Sequence, residues 1–284
     1  MPEKHTVKQL EDIASQVRRD IVRMVHAVQS GHPGGSLGCT DLFVALYFEV
    51  MDYQAKPFNM DGKGEDILIL SNGHISPVLY STMSRAGIFD VKELATFRKL
   101  NSRLQGHPAT HEHLEGVRIA SGSLGQGLSV ATGIALSKRM NNDLKTVYCV
   151  MGDGELQEGQ NWEAIMFAAH NKIDNLIAIV DFNGQQIDGS TKNIMGFTEV
   201  KNKFEAFGWV TLDMEGNTME NVLAVLAKAK SISREGKPVM IKMKTEMGFG
   251  VDFMMGSHEW HGIAPNNEQL ETALAQLPET LGDY

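Results

Sequence analysis

Cysteine is almost absent from this chain: two in 284 residues, Cys39 and Cys149, far apart and in no metal-type spacing. That argues against a disulfide framework or a cysteine-held zinc, and a reducing compartment is the simplest setting. Also missing is any apolar run long enough to span a bilayer. The opening Met-Pro-Glu-Lys-His has no apolar core, so no secretion signal is expected, and a cytoplasmic location is. Positive charge is not in excess either. The net charge is −9 at pH 7 and no segment is obviously basic, which makes an extended phosphate backbone a poor partner. Neither nucleic acid nor membrane is expected to bind. Repeats and low-complexity linkers are absent too. The length suits one large α/β domain or two smaller ones, with a sizeable core, and the sixteen methionines read as filler for it.

What is present is organised around two short apolar runs. Val147 to Met151 ends in Gly152-Asp153-Gly154, and Leu176 to Val180 ends in Asp181-Phe182-Asn183. Between them, Asn161 to His170 carries apolar and small residues at helical spacing. A strand, a helix and a strand over roughly 30 residues form one βαβ unit. Elsewhere, helices are expected over 7–29, 41–50, 78–86, 91–100, 128–140, 203–207, 219–231 and 267–277. Strands are expected over 67–70, 209–214 and 238–243. Ser30 to Gly35 reads as a breaker, 53–65 as a polar loop, and 101–120 as a loop long enough to be functional. Strands alternating with helices imply an α/β fold: one mainly parallel sheet covered by helices on both faces.

In a right-handed βαβ unit both strand tips lie on one edge of the sheet, where open α/β sheets bind ligands. Asp153 and Asn183 therefore arrive side by side as hard oxygen ligands suited to Mg2+ or Ca2+. Gly152, Gly154 and Gly159 let the backbone approach a ligand, and a helix start favours an anion. The combination points to a metal-bridged diphosphate. Asp181 and Asp188 are further acidic candidates, for which turn or packing roles are preferred. Four histidines, His32, His74, His107 and His261, sit in separate glycine-containing turns bordering that edge, with the right chemistry for proton transfer near neutral pH. His111, His113 and His258 are read as loop residues.

The Gly152-Asp153-Gly154 and Asn183 pair resembles the thiamine diphosphate motif. The longer string 152–164 (Gly-Asp-Gly-Glu-Leu-Gln-Glu-Gly-Gln-Asn-Trp-Glu-Ala) is similar to transketolase in particular. So are Ser30-Gly31-His32-Pro33-Gly34-Gly35, Ser71-Asn72-Gly73-His74, Gly106-His107-Pro108, Ser123-Leu124-Gly125-Gln126-Gly127 and Trp260-His261-Gly262. The likeness runs from about residue 10 to about residue 270, in the family's order. It implies that 1–284 is a diphosphate-binding domain with helical extensions at either end.

The resemblance also implies roles. Asp153, Asn183 and the main-chain carbonyl of Gln185, where many transketolases have an apolar residue, would hold the metal. Gly152, Gly154 and Glu155 would lie at the diphosphate. Gly122-Ser123-Leu124 would pack against the aminopyrimidine and diphosphate arm, with Ser123 in a place proline commonly takes. His74 and His261 would approach the cofactor. His32 and His261 would contact a sugar hydroxyl or carbonyl, and His107 the first hydroxyl. Glu158 and Glu163 would link paired active sites; for Glu158 a helix-start charge is the competing reading. The implied reaction is transfer of a two-carbon ketol unit from a ketose to an aldose, with pentose phosphates the default substrates. A full transketolase continues into a pyrimidine-binding domain and a C-terminal domain. The expectation is thus a split enzyme whose partner subunit carries the pyrimidine-binding half, assembled as a heterotetramer. Rival readings are the α chain of a 2-oxo acid dehydrogenase, a 1-deoxyxylulose-5-phosphate synthase, a non-catalytic cofactor-binding protein and a plain nucleotide-binding protein.

Overall fold

Five strands, three of them mainly apolar runs and two mixing apolar with charged residues, assemble into a single sheet in which every neighbouring pair is parallel. A computed structural model describes residues 4–284. In chain order the strands are β1 (Ile67–Leu70), β2 (Val147–Gly152), β3 (Leu176–Phe182), the two-residue strands β4 (Gln185–Gln186) and β5 (Gly189–Ser190), β6 (Val210–Glu215) and β7 (Val239–Lys244). The main sheet runs β1-β2-β3-β7-β6, and β4 and β5 pair with each other as an antiparallel hairpin. Because all five strands point the same way, their C-terminal ends share one edge. The β2–β3 register aligns Gly152 with Asp181, which puts Asp153 and Asn183 at adjoining tips.

The helices are α1 (Val7–Val28), α2 (Pro33–Gly38), α3 (Thr40–Ala45), α4 (Ser76–Arg85), α5 (Gln126–Met140), α6 (Gly159–His170), α7 (Thr191–Met195), α8 (Val200–Phe207), α9 (Met219–Ile232) and α10 (Asn267–Gln276). Helix α1 starts where the Thr6 hydroxyl accepts from the Gln9 N–H and the Gln9 side chain answers back to Thr6, a capping box. Its apolar stripe joins α3, α4, α9 and α10 in one core, through residues such as Leu10, Phe43, Tyr80 and Leu226. Helices α5, α6 and α8 form the second core on the opposite face, with Leu128, Ile165 and Phe204. Strand β3 lies between both layers and its first six residues are buried, which is why Leu176 to Val180 is continuously apolar rather than alternating; the sixth is Asp181.

Several expectations shift. The breaker at 30–35 only partly breaks: Pro33–Gly38 forms a short buried helix. Tertiary packing, not propensity, holds it, since a Cβ at Gly34 would stand 2.6 Å from Met247 Cγ and 2.7 Å from the Trp260 carbonyl oxygen. The helix expected over 91–100 is a 3-10 stretch confined to Val91–Thr96. The buried helix expected over 41–50 is Thr40–Ala45, prolonged by a π turn, Leu46–Val50. The hairpin β4–β5 and the helix α7 have no counterpart among the expected elements.

Candidate active site

The strand tips build the floor of the site. Asp153 follows β2 and is 4% exposed. Its Oδ1 accepts the Gly154 N–H at 2.8 Å; its Oδ2 accepts the Gly184 N–H at 2.8 Å and the Thr191 hydroxyl at 3.4 Å. Asn183 Nδ2 donates to Asp181 Oδ2 at 2.8 Å, while Asn183 Oδ1 accepts the Gln185 N–H at 2.9 Å. The buried Asp181 carboxylate also receives the Thr245 hydroxyl and the Cys39 thiol. That network settles which end of the Asn183 amide is which: the nitrogen is tied to Asp181 and the oxygen is turned the other way.

Burial, and then the neighbouring Asp181 charge, push the Asp153 carboxyl up to about 7. Two buried carboxylates stand together with no basic side chain pairing Asp153, an arrangement that a bound cation would relieve. Among the described residues no three His, Cys, Asp or Glu side chains converge as a metal site. The donor set on offer is instead one carboxylate, one amide oxygen and main-chain carbonyls, an all-oxygen set fitting a hard divalent ion.

Glu155 lines the same cleft, but its carboxylate is fully engaged. It accepts from the Ser71 hydroxyl, from the Gly125 N–H at 2.7 Å and from the Gly152 N–H at 3.1 Å. It therefore staples the end of β1, the glycine-rich loop and the end of β2. Gly122 and Leu124 line the cleft as well, whereas Ser123 is exposed and does not. Gly122 sits at φ +130°, and a Cβ there would lie 3.0 Å from the His107 ring, so this glycine seats that histidine.

The four histidines come together from four places: the start of α2, the turn after β1, the long loop, and the turn at 258–261. His32 is the hub, with ring centroids 5.1 Å from His74, 5.6 Å from His261 and 6.3 Å from His107. His74 and His261 are 4.9 Å apart. Burial, then the nearby His261 and Arg98, lower His32 to about 4. Burial lowers His74, His107 and His261 too, with Arg98 adding to the effect on His107 and His258 to that on His261. All four are thus neutral at pH 7. The buried His32 Nδ1, His261 Nδ1 and Asn72 Oδ1 have no hydrogen-bond partner, an uncommon state for buried polar atoms and one that a ligand would satisfy. His32, Asn72, His74 and His261 line one open cleft with Asp153, Asn183 and Gln185.

Other candidates lie apart. Glu158 is exposed at the cleft wall and Glu163 is exposed on the outer side of α6. His111, His113 and His258 are exposed loop residues. Reading the sequence missed Arg98, which touches the segments before both His32 and His107, and the Gln157–Gln186 pair, joined at 2.7 Å beside Gly154. No spacing signal marks either. Asp181 was weighed as a packing residue; its place two positions before Asn183 was the available clue.

The thiamine diphosphate binding domain of transketolase matches residues 10–279. The chain belongs to the transketolase family. Its relatives fall into two lengths. An apulose-4-phosphate transketolase subunit of Actinobacillus succinogenes is 36% identical over 272 residues, covering 95% of this chain and 96% of that one. The 6-deoxy-6-sulfo-D-fructose transketolase subunit SqwG of a Clostridium species is 35% identical over 268 residues, covering 94% and 96%. Human transketolase is 35% identical over 265 residues, covering 92% of this chain but 41% of its own length. The crystal structure of the Campylobacter jejuni transketolase superposes with a TM-score of 0.87 at 35% identity, over 96% of this chain and 43% of that one. This transketolase domain therefore matches the subunit relatives end to end and about two-fifths of the longer ones.

Proposed function

We propose that the chain is the thiamine diphosphate-binding subunit of a two-subunit transketolase, which with a partner moves a two-carbon ketol unit from a ketose to an aldose. The observation that carries this reading is the cluster of four neutral histidine rings, with His74, His107 and His261 all within 6.3 Å of His32, and with His32, His74 and His261 lining the same cleft as the Asp153 and Asn183 strand tips. The 96% coverage of subunit relatives supports the split arrangement.

Asp153, Asn183 and the Gln185 carbonyl would hold Mg2+, or Ca2+, at the diphosphate, with Gly152 and Gly154 lying beside it. Gly122 and Leu124 would flank the cofactor, along with His74 and His261. When bound, thiamine diphosphate supplies the reactive carbon that takes up and passes on the two-carbon unit. The chain's own part is to orient and to move protons. His32 and His261 face the sugar as neutral imidazoles, able both to donate an N–H to a carbonyl or hydroxyl oxygen and to accept a proton from it. His107, at the more exposed rim, would meet the first hydroxyl. Asp153, buried at 4% exposure, is shielded from bulk water, which strengthens charge interactions at its carboxylate.

The partner would be a C-terminal transketolase subunit carrying the pyrimidine-binding domain, two of each forming a heterotetramer in the cytoplasm. Among the described residues no helix is long and apolar enough to cross a membrane. The names of the two subunit relatives carry sugars with an anionic terminus, a phosphate in one and a sulfonate in the other. A ketose with such a terminus is the substrate class we assign here, in place of pentose phosphates as a fixed default. The test is to mix purified chain with a candidate partner and assay ketol transfer in the presence of thiamine diphosphate and Mg2+. Turnover should appear only in the mixture. Full turnover from this chain alone, or oxidative decarboxylation of pyruvate by the mixture, would overturn the reading.

A further inference from the structure

Arg98 is a half-buried cation without a counter-ion. Among the described residues it forms no ion pair, and its buried Nε has no hydrogen-bond partner. It sits in the left-handed region at φ +55°, an uncommon conformation for arginine, held by its own N–H donating to the Leu104 carbonyl at 2.8 Å. The side chain reaches two segments at once. Its Nη1 donates to the Ser30 hydroxyl at 2.8 Å, two residues before His32. Its guanidinium plane lies against Gly106, directly before His107, so closely that a Cβ at Gly106 would fall 2.5 Å from Arg98 Cζ. The glycine before His107 is thus explained by the arginine that covers it.

We propose that Arg98 is a positioning residue for the histidine cluster: its guanidinium clamps the turn that carries His32 to the loop that carries His107, and stands as a fixed positive charge beside both rings. The groups facing His32 are His74 from the turn after β1, His261 from the turn at 258–261, and Arg98 and His107 from the loop. No carboxylate is among the charges acting on His32 or His107. Arg98 is the permanent cation acting on them, since the other contributors are imidazoles that are themselves neutral at pH 7. Tyr80 faces the guanidinium from α4 but is itself held neutral by burial, its hydroxyl donating to the Gln105 carbonyl at 2.9 Å. Removing Arg98 should therefore raise the proton affinity of both rings, an effect that a merely structural arginine would not have.

The inference does not depend on the transketolase reading, because the test needs no cofactor, partner or substrate. The histidine ring resonances of the isolated chain are followed by NMR from pH 4 to 8 in wild type, R98K and R98Q, and assigned by single His→Gln changes. In R98Q the midpoints of His32 and His107 should rise by about one unit, the size expected for losing a unit charge at close range in a partly buried site. In R98K the charge remains but the planar contact with Gly106 and the bond to Ser30 are lost. The midpoints should then stay near wild type while the ring shifts move. If R98Q fails to fold, S30A and G106A serve instead; G106A should displace the guanidinium and raise the His107 midpoint. Folded R98Q with unmoved His32 and His107 midpoints would overturn the proposal. Failure of ketol transfer in the reconstituted pair, with the midpoints shifting as stated, would strike the functional reading alone.

Discussion

Asp181 shows how much of a ligand site is made by residues that need not touch the ligand. It takes the Asn183 amide nitrogen at 2.8 Å and so leaves the amide oxygen as the group available to a cation. Replacing Asp181 by Asn keeps the volume but gives Asn183 a partner whose acceptor capacity is halved. Groups that orient metal ligands are worth about 10–100-fold in affinity. Asp181→Asn should lower Mg2+-dependent thiamine diphosphate binding by about that factor, read by calorimetry, and unchanged binding would remove Asp181 from the role. A second residue-scale expectation concerns acid. The folded His32 value of about 4 lies below the ordinary 6.5, so between these values the unfolded chain binds more protons and stability rises with pH. The His32 contribution is fully present above pH 6.5 and is lost as pH falls towards 4. It amounts to about 3 kcal/mol at most. Urea denaturation at pH 7.5, 6 and 5 should show the decline, and His32→Gln should make it shallower by the His32 share, His74, His107 and His261 keeping theirs. The residues at strand tips were legible because their spacing repeats the βαβ geometry. Arg98 was not, because it acts on segments away from it in sequence, and no local pattern records a tertiary contact.

At the scale of elements, the long apolar strands and amphipathic helices announced themselves through burial on one or both faces. Strand β3 and helix α1 read plainly for that reason. The hairpin β4–β5 did not, since two-residue strands show no period, and its pairing depends on being anchored beside Asp153 through Gly184 and Thr191. Helix α2 was hidden for the opposite reason: its Pro-Gly-Gly content argues against a helix, and only the walls around it impose one. That makes α2 sensitive to a single added methyl group. Gly34→Ala would drive a Cβ to 2.7 Å from the Trp260 carbonyl oxygen, a backbone atom that cannot turn aside like the flexible Met247 side chain. Overpacking of this kind costs about 1–3 kcal/mol. The variant should show a lower denaturation midpoint and, because α2 begins at His32 and touches the turn holding His261, a perturbed histidine cluster. A midpoint equal to wild type would mean that the walls yield.

For the whole molecule, the surface that remains is as informative as the core. On the outward sides of α5 and α6, Val130 is 38% exposed, Met140 75%, Met166 55% and Phe167 48%, with Glu163 between them. Residues 163, 166, 167 and 170 fall at helical spacing on one side of α6, and 130, 133, 137 and 140 do the same on α5. Large apolar side chains gathered on neighbouring helices beside a ligand cleft mark an interface. This is the surface we assign to the partner subunit. A charge at its centre should act on assembly and not on folding. Phe167→Glu, which removes no buried contact of the first or second core, should leave the denaturation midpoint of the isolated chain within about 0.5 kcal/mol of wild type. It should weaken association with the partner by about 30-fold, the effect of losing one central aromatic anchor of roughly 2 kcal/mol. Sedimentation of the mixture at graded partner concentrations measures this directly. Ketol transfer should fall at low partner concentration and recover at high, since the cleft itself is untouched. Association at wild-type strength would place the partner on another face, and activity lost at every partner concentration would mean that α6 acts on the cleft itself.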